Sequence, residues 1–412
     1  MNTLGIVSIL VTTAALFGWI SSRLLKLPIT IGTMLLTVGA SLLMANLAPL
    51  TPGVENWAAR FAGRIDFETL VLHGLLPLLL FAGAFLLNPE ELAREKLPVA
   101  LLAVPGTVIS FLAVASLMKL LAGPQISWIE CLIFGAVISP TDPIAVLEML
   151  RRVGVPKAVQ SQLAGESLFN DGIGAVLFLT MIEIARGHSP TVWHVAGLLL
   201  LQAGGAIVLG IAAAWLISML MCMVNSYQVD ILLTIALSLG AYALADAGRL
   251  SAPLEAVVAG IALRHFNRQK PKGLIADERV DQFWTLIDEV LNSILFVLLG
   301  LEIFAVSFNL QTVRAGASAV LSANLVRLAI VAGCVAVVRL CRKERHHAIF
   351  TMTWGGLRGG LSIALALSVP AALGGAWIFG ATYIMVVFSI LIQGGSLHYV
   401  LTRRHKHQPA AV

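Results

Sequence analysis

Residues 139–143 read Ser-Pro-Thr-Asp-Pro, and they interrupt a stretch (127–150) that is otherwise apolar enough to cross a bilayer. Pro140 and Pro143 each lack a backbone N–H, so a helix entering this stretch has to break there. A second apolar stretch (347–369) is interrupted by Gly-Gly-Leu-Arg-Gly-Gly at 355–360, whose four glycines favour unwinding. Asp142 and Arg358 lie 216 residues apart, and Leu-Leu-Leu-Phe (78–81) and Ser-Ile-Leu-Phe (293–296) lie 215 apart. Two unrelated comparisons thus give nearly the same offset. Partners are seven spans apart, an odd number, so the two halves have opposite orientation. Matched interruptions in opposed repeats point to a secondary transporter with its site near the bilayer midplane.

The rest of the chain fits that reading. Of 412 residues, 58% are hydrophobic and 12% charged, where soluble domains carry about 25% charge. The composition is that of an all-α polytopic membrane protein, whose helices satisfy their own backbone hydrogen bonds. A span needs about 20 apolar residues, which gives thirteen: 3–22, 28–47, 67–87, 97–121, 127–150, 158–185, 192–223, 228–247, 252–265, 281–304, 314–340, 347–369 and 376–400. The first ends in Ser-Ser-Arg-Leu-Leu-Lys without a cleavage pattern and reads as a retained span. Cys131, Cys222, Cys334 and Cys341 show no CxxC spacing and read as small apolar packing residues.

Charge tests the map independently. With the N-terminus outside, the cytoplasmic segments hold Arg23, Lys26, Arg94, Lys96, Arg151, Arg152, Lys157, Arg264, Arg268, Lys270, Lys272, Arg279, Arg339, Arg342, Lys343, Arg345, Arg403, Arg404 and Lys406. The outer segments hold only Arg60, Arg64, Arg186, Arg249 and Arg314. This bias predicts an outside N-terminus, a cytoplasmic C-terminus and an odd number of spans. Splitting the long seventh span would destroy it. The net charge of +5 follows from these loops and needs no nucleic acid. Lys119 can snorkel from the outer end of its span, whereas Arg327 and Arg358 sit near mid-span and become functional candidates.

The sixth span carries Gly-Glu-Ser-Leu-Phe-Asn-Asp at 165–171. Ionisable groups at bilayer depth face a cavity, a partner charge or a substrate path. Glu166 and Asn170 are i,i+4, as are Ser167 and Asp171, so the four share one broad helix face. A carboxylate at this depth is a place where protons and cations compete, and Asp171 is the expected carrier. Glu166 is expected to pair with Arg327, with Arg358 the second choice. Asn170 would orient the site without titrating, and Thr141 and Ser167 offer neutral oxygens or bond their own backbone. Asp142 and Arg358 suit the positive and negative half-helix ends that the two breaks create; Asp142 could equally line the ion site. Asp230, Asp246, Glu255 and Glu302 sit at span ends, where ordinary solvation would account for them. His73 reads as a packed neutral histidine. No Walker-type phosphate loop is present.

Together, SPTDPIAV, then GESLFNDGIGAVLF, then an Arg-bearing span and GGLRGGLSIALAL resemble the cation:proton antiporter family of Na⁺/H⁺ exchangers, in its NhaP-like branch with an Asn-Asp motif. The resemblance runs along essentially the whole chain. It implies a thirteen-span inverted-repeat fold, a homodimer embedded among membrane lipids, and a core that moves against a dimerisation scaffold. On this reading 1–412 is a single membrane-embedded exchanger unit. Residues 1–96 and 228–313 form the dimerisation subdomain, 97–190 and 314–400 the ion-transport core, 191–227 a linker helix and 401–412 a short cytoplasmic tail.

The resemblance further implies that Asp171 binds Na⁺ (or Li⁺ or K⁺) and H⁺ in alternation, that exchange is electroneutral, and that no cofactor is needed. Glu166 and Arg327 fall at the family's stabilising ion pair, and Thr141, Asp142, Ser167 and Asn170 at site-forming positions. Many members carry an acid where this chain has Ala82, so one cation ligand is expected to be missing. The short tail fits a prokaryotic inner-membrane protein. Other readings are a same-fold carrier for another solute, a cation channel, and an intramembrane aspartyl protease built on Asp142 and Asp171. The protease would need a GxGD turn and a PAL segment, which the chain lacks, and the acidic site disfavours anionic solutes.

Overall fold

The computed structural model describes residues 3–27, 29–47, 66–121, 126–187, 192–224, 226–268, 274–306, 308–341 and 348–397. Among them every regular element is a helix. In chain order these are α1 (Thr3–Ile20), α2 (Ile29–Leu47), α3 (Phe67–Leu86), α4 (Pro89–Arg94), α5 (Lys96–Leu121), α6 (Trp128–Ile138), α7 (Ile144–Val153), α8 (Lys157–Ala185), α9 (Val192–Met223), α10 (Tyr227–Ala247), α11 (Ala252–Arg268), α12 (Leu274–Leu301), α13 (Leu310–Cys341), α14 (Ala348–Gly355), α15 (Gly360–Leu367) and α16 (Gly375–Leu397). Arg60, Arg64, Lys270, Lys272, Arg342, Lys343, Arg345 and the tail 401–412 lie outside the described residues.

Among the described residues nine helices are long and apolar enough to cross a membrane: α1, α3, α5, α8, α9, α10, α12, α13 and α16. The other four predicted spans correspond to the shorter α2 and α11 and to two pairs of half-helices, α6/α7 and α14/α15. The long seventh span is one unbroken helix, α9. Local chemistry sets the boundaries. Ser127 caps α6 by accepting from the Glu130 N–H at 3.3 Å, and its hydroxyl donates to the Glu130 carboxylate, a reciprocal cap. Asn88 accepts from the Glu90 N–H at the start of α4, where Pro89 fills the first helical position. Gly154 closes α7 in the left-handed conformation at φ 75°.

The helices pack in two groups. In one, α9 lies along α11, α11 along α3, and α12 bridges α2 and α3. Phe81, Ala82, Phe85, Leu237, Leu263 and Trp284 form an apolar core of this group. In the other, α5 packs on α6 and α13, α13 on α16, and α8 on α6. Helix α8 is also where the groups meet, because it packs against α11. Gly172 permits that approach: a Cβ there would sit 2.8 Å from the Leu254 Cβ. Outward, Leu4, Leu16 and Trp19 of α1 and Leu200, Val208 and Trp215 of α9 are exposed, the apolar face that lipid contact requires.

The two interruptions meet. Helix α6 stops at Ile138 and α7 resumes at Ile144; α14 stops at Gly355 and α15 begins at Gly360. The Asp142 N–H donates to the Leu357 carbonyl at 2.8 Å, so the unwound segments cross and bond to each other. Unwound backbone at membrane depth is tolerated only where such partners or a cavity satisfy it.

Several span-end residues depart from expectation. Asp230, Glu255 and Glu302 are buried, with Glu255 at 0% exposure and both its carboxylate oxygens without a partner. Ordinary solvation does not account for them. Neighbouring helices cover these helix ends, as α9 covers the first turn of α11. Asp246 is solvated as expected, and it lies 3.6 Å from His73, whose side chain is half exposed. His73 is therefore a surface residue and not a packed one. Cys131 is buried and Cys334 partly so, while Cys222 faces outward.

Candidate functional site

Proline removes helix bonds at the first break, and α8 replaces them. The Asn170 Oδ1 accepts from the Thr141 N–H at 3.2 Å, and its Nδ2–H donates to the Thr141 Oγ1 at 2.7 Å. The Ser167 hydroxyl donates to the Thr141 carbonyl. Thr141 is thereby held by three polar contacts from one helix face, all buried. Asp142, next along, is half-buried and lies within electrostatic reach of Asp171. A Cβ on Gly359 would collide with its carboxylate, so the second break has a glycine where the first brings its charge.

The second break has its own fastening. Arg327 of α13 grips both carboxylate oxygens of Glu166, with Nη2 to Oε2 at 2.9 Å. Its Nη2–H and Nε–H also donate to the Met352 carbonyl at 2.9 and 3.3 Å. Met352 lies in the last turn of α14, where carbonyls lack helical partners. One buried ion pair thus ties α8, α13 and α14 together. Arg358 is not part of it. Its backbone N–H donates to the Ser389 Oγ at 2.9 Å, and its Nη1–H donates to the Gly356 carbonyl at 3.0 Å. The guanidinium is 2% exposed and sits at the carbonyl end of α14, the negative end of that half-helix. Ser389 belongs to a widened turn of α16, Phe388–Gly394, an irregularity often found at functional sites.

Asp171 differs from all of these. Its carboxylate makes no hydrogen bond or ion pair with the described residues. It lines a cavity of about 530 Å³ together with Thr141, Asp142 and Ser167. The structure therefore brings Thr141, Asp142, Ser167, Asn170 and Asp171 to one place, with Glu166, Arg327 and Arg358 behind them. The cavity also receives Thr285, Asp288, Glu289 and Asn292 from α12, Arg151 from α7 and Ser362 from α15. These were not singled out from sequence. Asp288 and Asn292 repeat the i,i+4 polar spacing of Glu166 and Asn170 within α12. Four carboxylates against one guanidinium make the cavity suited to cations. Ala82 is 0% exposed and packs against the Phe81, Phe85 and Trp284 core, while its neighbour Gly83 lines the cavity. The position expected to lack a cation ligand is here packed in an apolar core and does not line the cavity.

Comparison with known proteins gives a consistent picture. The family described as "Sodium/hydrogen exchanger, transmembrane" matches residues 11–403. The Na(+)/H(+) antiporter NhaP of Pseudomonas aeruginosa is 38% identical over 98% of both chains. The Na(+)/H(+) antiporter NhaH of Halobacillus dabanensis is 29% identical over 91% of this chain and 92% of its own. The structure of the sodium proton antiporter MjNhaP1 from Methanocaldococcus jannaschii at pH 8 superimposes with a TM-score of 0.73 at 18% identity over 98% of both chains, a likeness of fold. A family match over nearly the whole length, on a membrane fold with two crossing helix breaks, places this chain in the sodium/hydrogen exchanger family, as a secondary transporter and not an enzyme.

Proposed function

We propose that the chain exchanges Na⁺ for H⁺ at Asp171, one for one, by alternating access. The observation that carries this is the state of Asp171. The polar groups around it on α8 and at the two breaks are engaged: Glu166 with Arg327, Asn170 and Ser167 with Thr141, Arg358 with Gly356. Asp171 alone of these faces the cavity without a protein partner. A single carboxylate can hold either one proton or one monovalent cation, so its turnover is electroneutral. Thr141, Ser167 and Asp142 line the same cavity and would supply oxygens to a partly dehydrated ion, with Asn170 fixing Thr141 in place. Na⁺, Li⁺ and K⁺ accept the same oxygens, and Na⁺ is the cargo favoured by the family.

The cavity also suggests the state and the moving parts. It is bordered by Ile29 at the start of α2, Leu87 after α3 and Arg151 of α7, all on the side that the Lys and Arg bias assigns to the cytoplasm. The chain is therefore read as inward-facing in a plasma membrane, with its N-terminus outside. The group containing α5–α8 and α13–α16 (97–190 and 314–400) would be the moving core. The group containing α1–α3 and α10–α12 (1–96 and 228–313) would be the scaffold of a homodimer, with α9 connecting the two.

Proteoliposomes loaded with a pH-sensitive dye test the central claim. Asp171→Asn should abolish Na⁺-driven proton efflux while the protein remains folded and inserted. Normal exchange by that variant would remove Asp171 from the mechanism.

A further inference from the structure

Two buried oxygens in the cavity have no partner. The Asn292 Oδ1 and the Ser362 Oγ belong to side chains that are each 1% exposed, and neither makes a hydrogen bond. Both residues line the cavity wall. Asn292 is oriented by its neighbour, because its Nδ2–H donates to the Asp288 Oδ1 at 3.0 Å. That bond occupies the amide's donor side and leaves its carbonyl oxygen free. Ser362 lines the same cavity from α15, which packs on α12; a Cβ on Gly360 would lie 2.7 Å from the Leu295 Cδ2. Unsatisfied buried acceptors are costly and call for an explanation.

We propose that Asp288, Asn292 and Ser362 form a second monovalent-cation site, at which Na⁺ is loaded from the cytoplasmic side before it reaches Asp171. The donor set is a carboxylate, an amide oxygen and a hydroxyl, all hard oxygens. One carboxylate suits an alkali-metal ion, whereas Ca²⁺ takes six to eight oxygens, several of them charged. The other charges facing Asp288 are Glu289 and Asp142, which favour a cation, and Arg151, which opposes it. No ion pair joins Arg151 to Asp288, so the guanidinium does not occupy the site. Asp142 is within electrostatic reach of both Asp288 and Asp171, which gives an ion a continuous acidic route from α12 to α8. The proposal rests on the reading that this cavity leads to the exchange site at Asp171.

Equilibrium binding of ²²Na⁺ to the detergent-purified full chain, paired with proton flux in proteoliposomes, tests it. Asp171→Asn should keep weak Na⁺ binding, and adding Asp288→Asn should abolish what remains. Alone, Asp288→Asn should raise the KM for Na⁺ about fivefold to tenfold, the size expected for losing one charged ligand, with Vmax within about twofold. Asp288→Glu should restore most of that affinity, and Asn292→Leu should shift KM in the same direction as Asp288→Asn. Gel filtration and a thermal melt establish that each variant is folded; if Asp288→Asn is not, Asn292→Leu carries the test. Absence of Na⁺ binding in Asp171→Asn, or wild-type KM in Asp288→Asn and Asn292→Leu, overturns the second site. Normal transport by Asp171→Asn overturns the exchange-site reading instead, and the binding comparison still reads Asp288.

Discussion

Replacing Glu166 by Ala probes how the broken helices are held. The Arg327 guanidinium is almost buried, with 7% of its side chain exposed, and Glu166 has 2%. Losing one member of a buried ion pair costs about 3–5 kcal/mol, because the remaining charge stays in a low-dielectric site. Arg327 would keep its two bonds to the Met352 carbonyl, so the lower end, about 3 kcal/mol, is expected. Arg327→Met removes the same pair and also leaves the Met352 carbonyl without its side-chain donor, adding about 1 kcal/mol. In Glu166→Ala/Arg327→Met no charge is stranded, so the double variant should be more stable than the sum of the singles by about 2 kcal/mol. Reversible unfolding in mixed micelles, titrated with a denaturing detergent, measures all of these. A Glu166→Ala loss below about 0.5 kcal/mol, or strictly additive singles, would refute the idea that this pair fastens α8 to α13 and α14.

Three further outcomes follow from the same geometry. Gly359→Ala should reduce exchange at least tenfold in the vesicle assay; its extended backbone at φ −133° admits any residue, so the loss would come from collision with the Asp142 carboxylate. Asn170→Asp should keep an acceptor for the Thr141 N–H but lose the donor to the Thr141 hydroxyl, and it places a second titratable group beside Asp171. Exchange by that variant should then respond to membrane potential where wild-type exchange does not, as a potassium–valinomycin clamp would show. Finally, competition at one carboxylate predicts that below the pH where Asp171 is half protonated, each unit fall in pH raises the apparent KM for Na⁺ about tenfold with Vmax unchanged. A KM that stays constant while exchange is lost on the acid side would contradict shared binding.

Most of the fold was legible because membrane constraints are severe. Hydrophobic length gave the helices, and prolines and glycines gave the breaks. That the two breaks cross is shown by the Asp142 to Leu357 bond and not by either local sequence. What escaped was burial at helix ends. Glu255 looks like a solvated first-turn acid, yet α9 packs over that turn and excludes water from it. His73 erred in the opposite direction, because the end of α3 is left open beside Asp246. In both cases the deciding fact is which neighbour covers an end, and local sequence does not carry it. Asp288 and Asn292 were missed for another reason: their spacing was visible, but only the fold shows that this face of α12 turns towards α8 and not towards lipid.

Helix α8 explains why the motif ends in Asn-Asp and not in two acids or two amides. Successive residues on a helix are rotated by about 100°, so 170 and 171 look onto different surroundings. Position 170 looks onto the unwound Thr141, where both a donor and an acceptor are needed, one for the hydroxyl and one for the N–H. An amide supplies both from a single side chain; an ionised carboxylate supplies acceptors alone. Position 171 looks into the cavity, where, at the exchange site we propose, any permanent donor would compete with the ion. An acid there can release its proton and become a pure acceptor. Glu166, one turn before Asn170, is neutralised by Arg327 from behind and so cannot compete for the cation. The three polar identities are thus set by three different neighbours, and only the one at 171 is left free to change its charge.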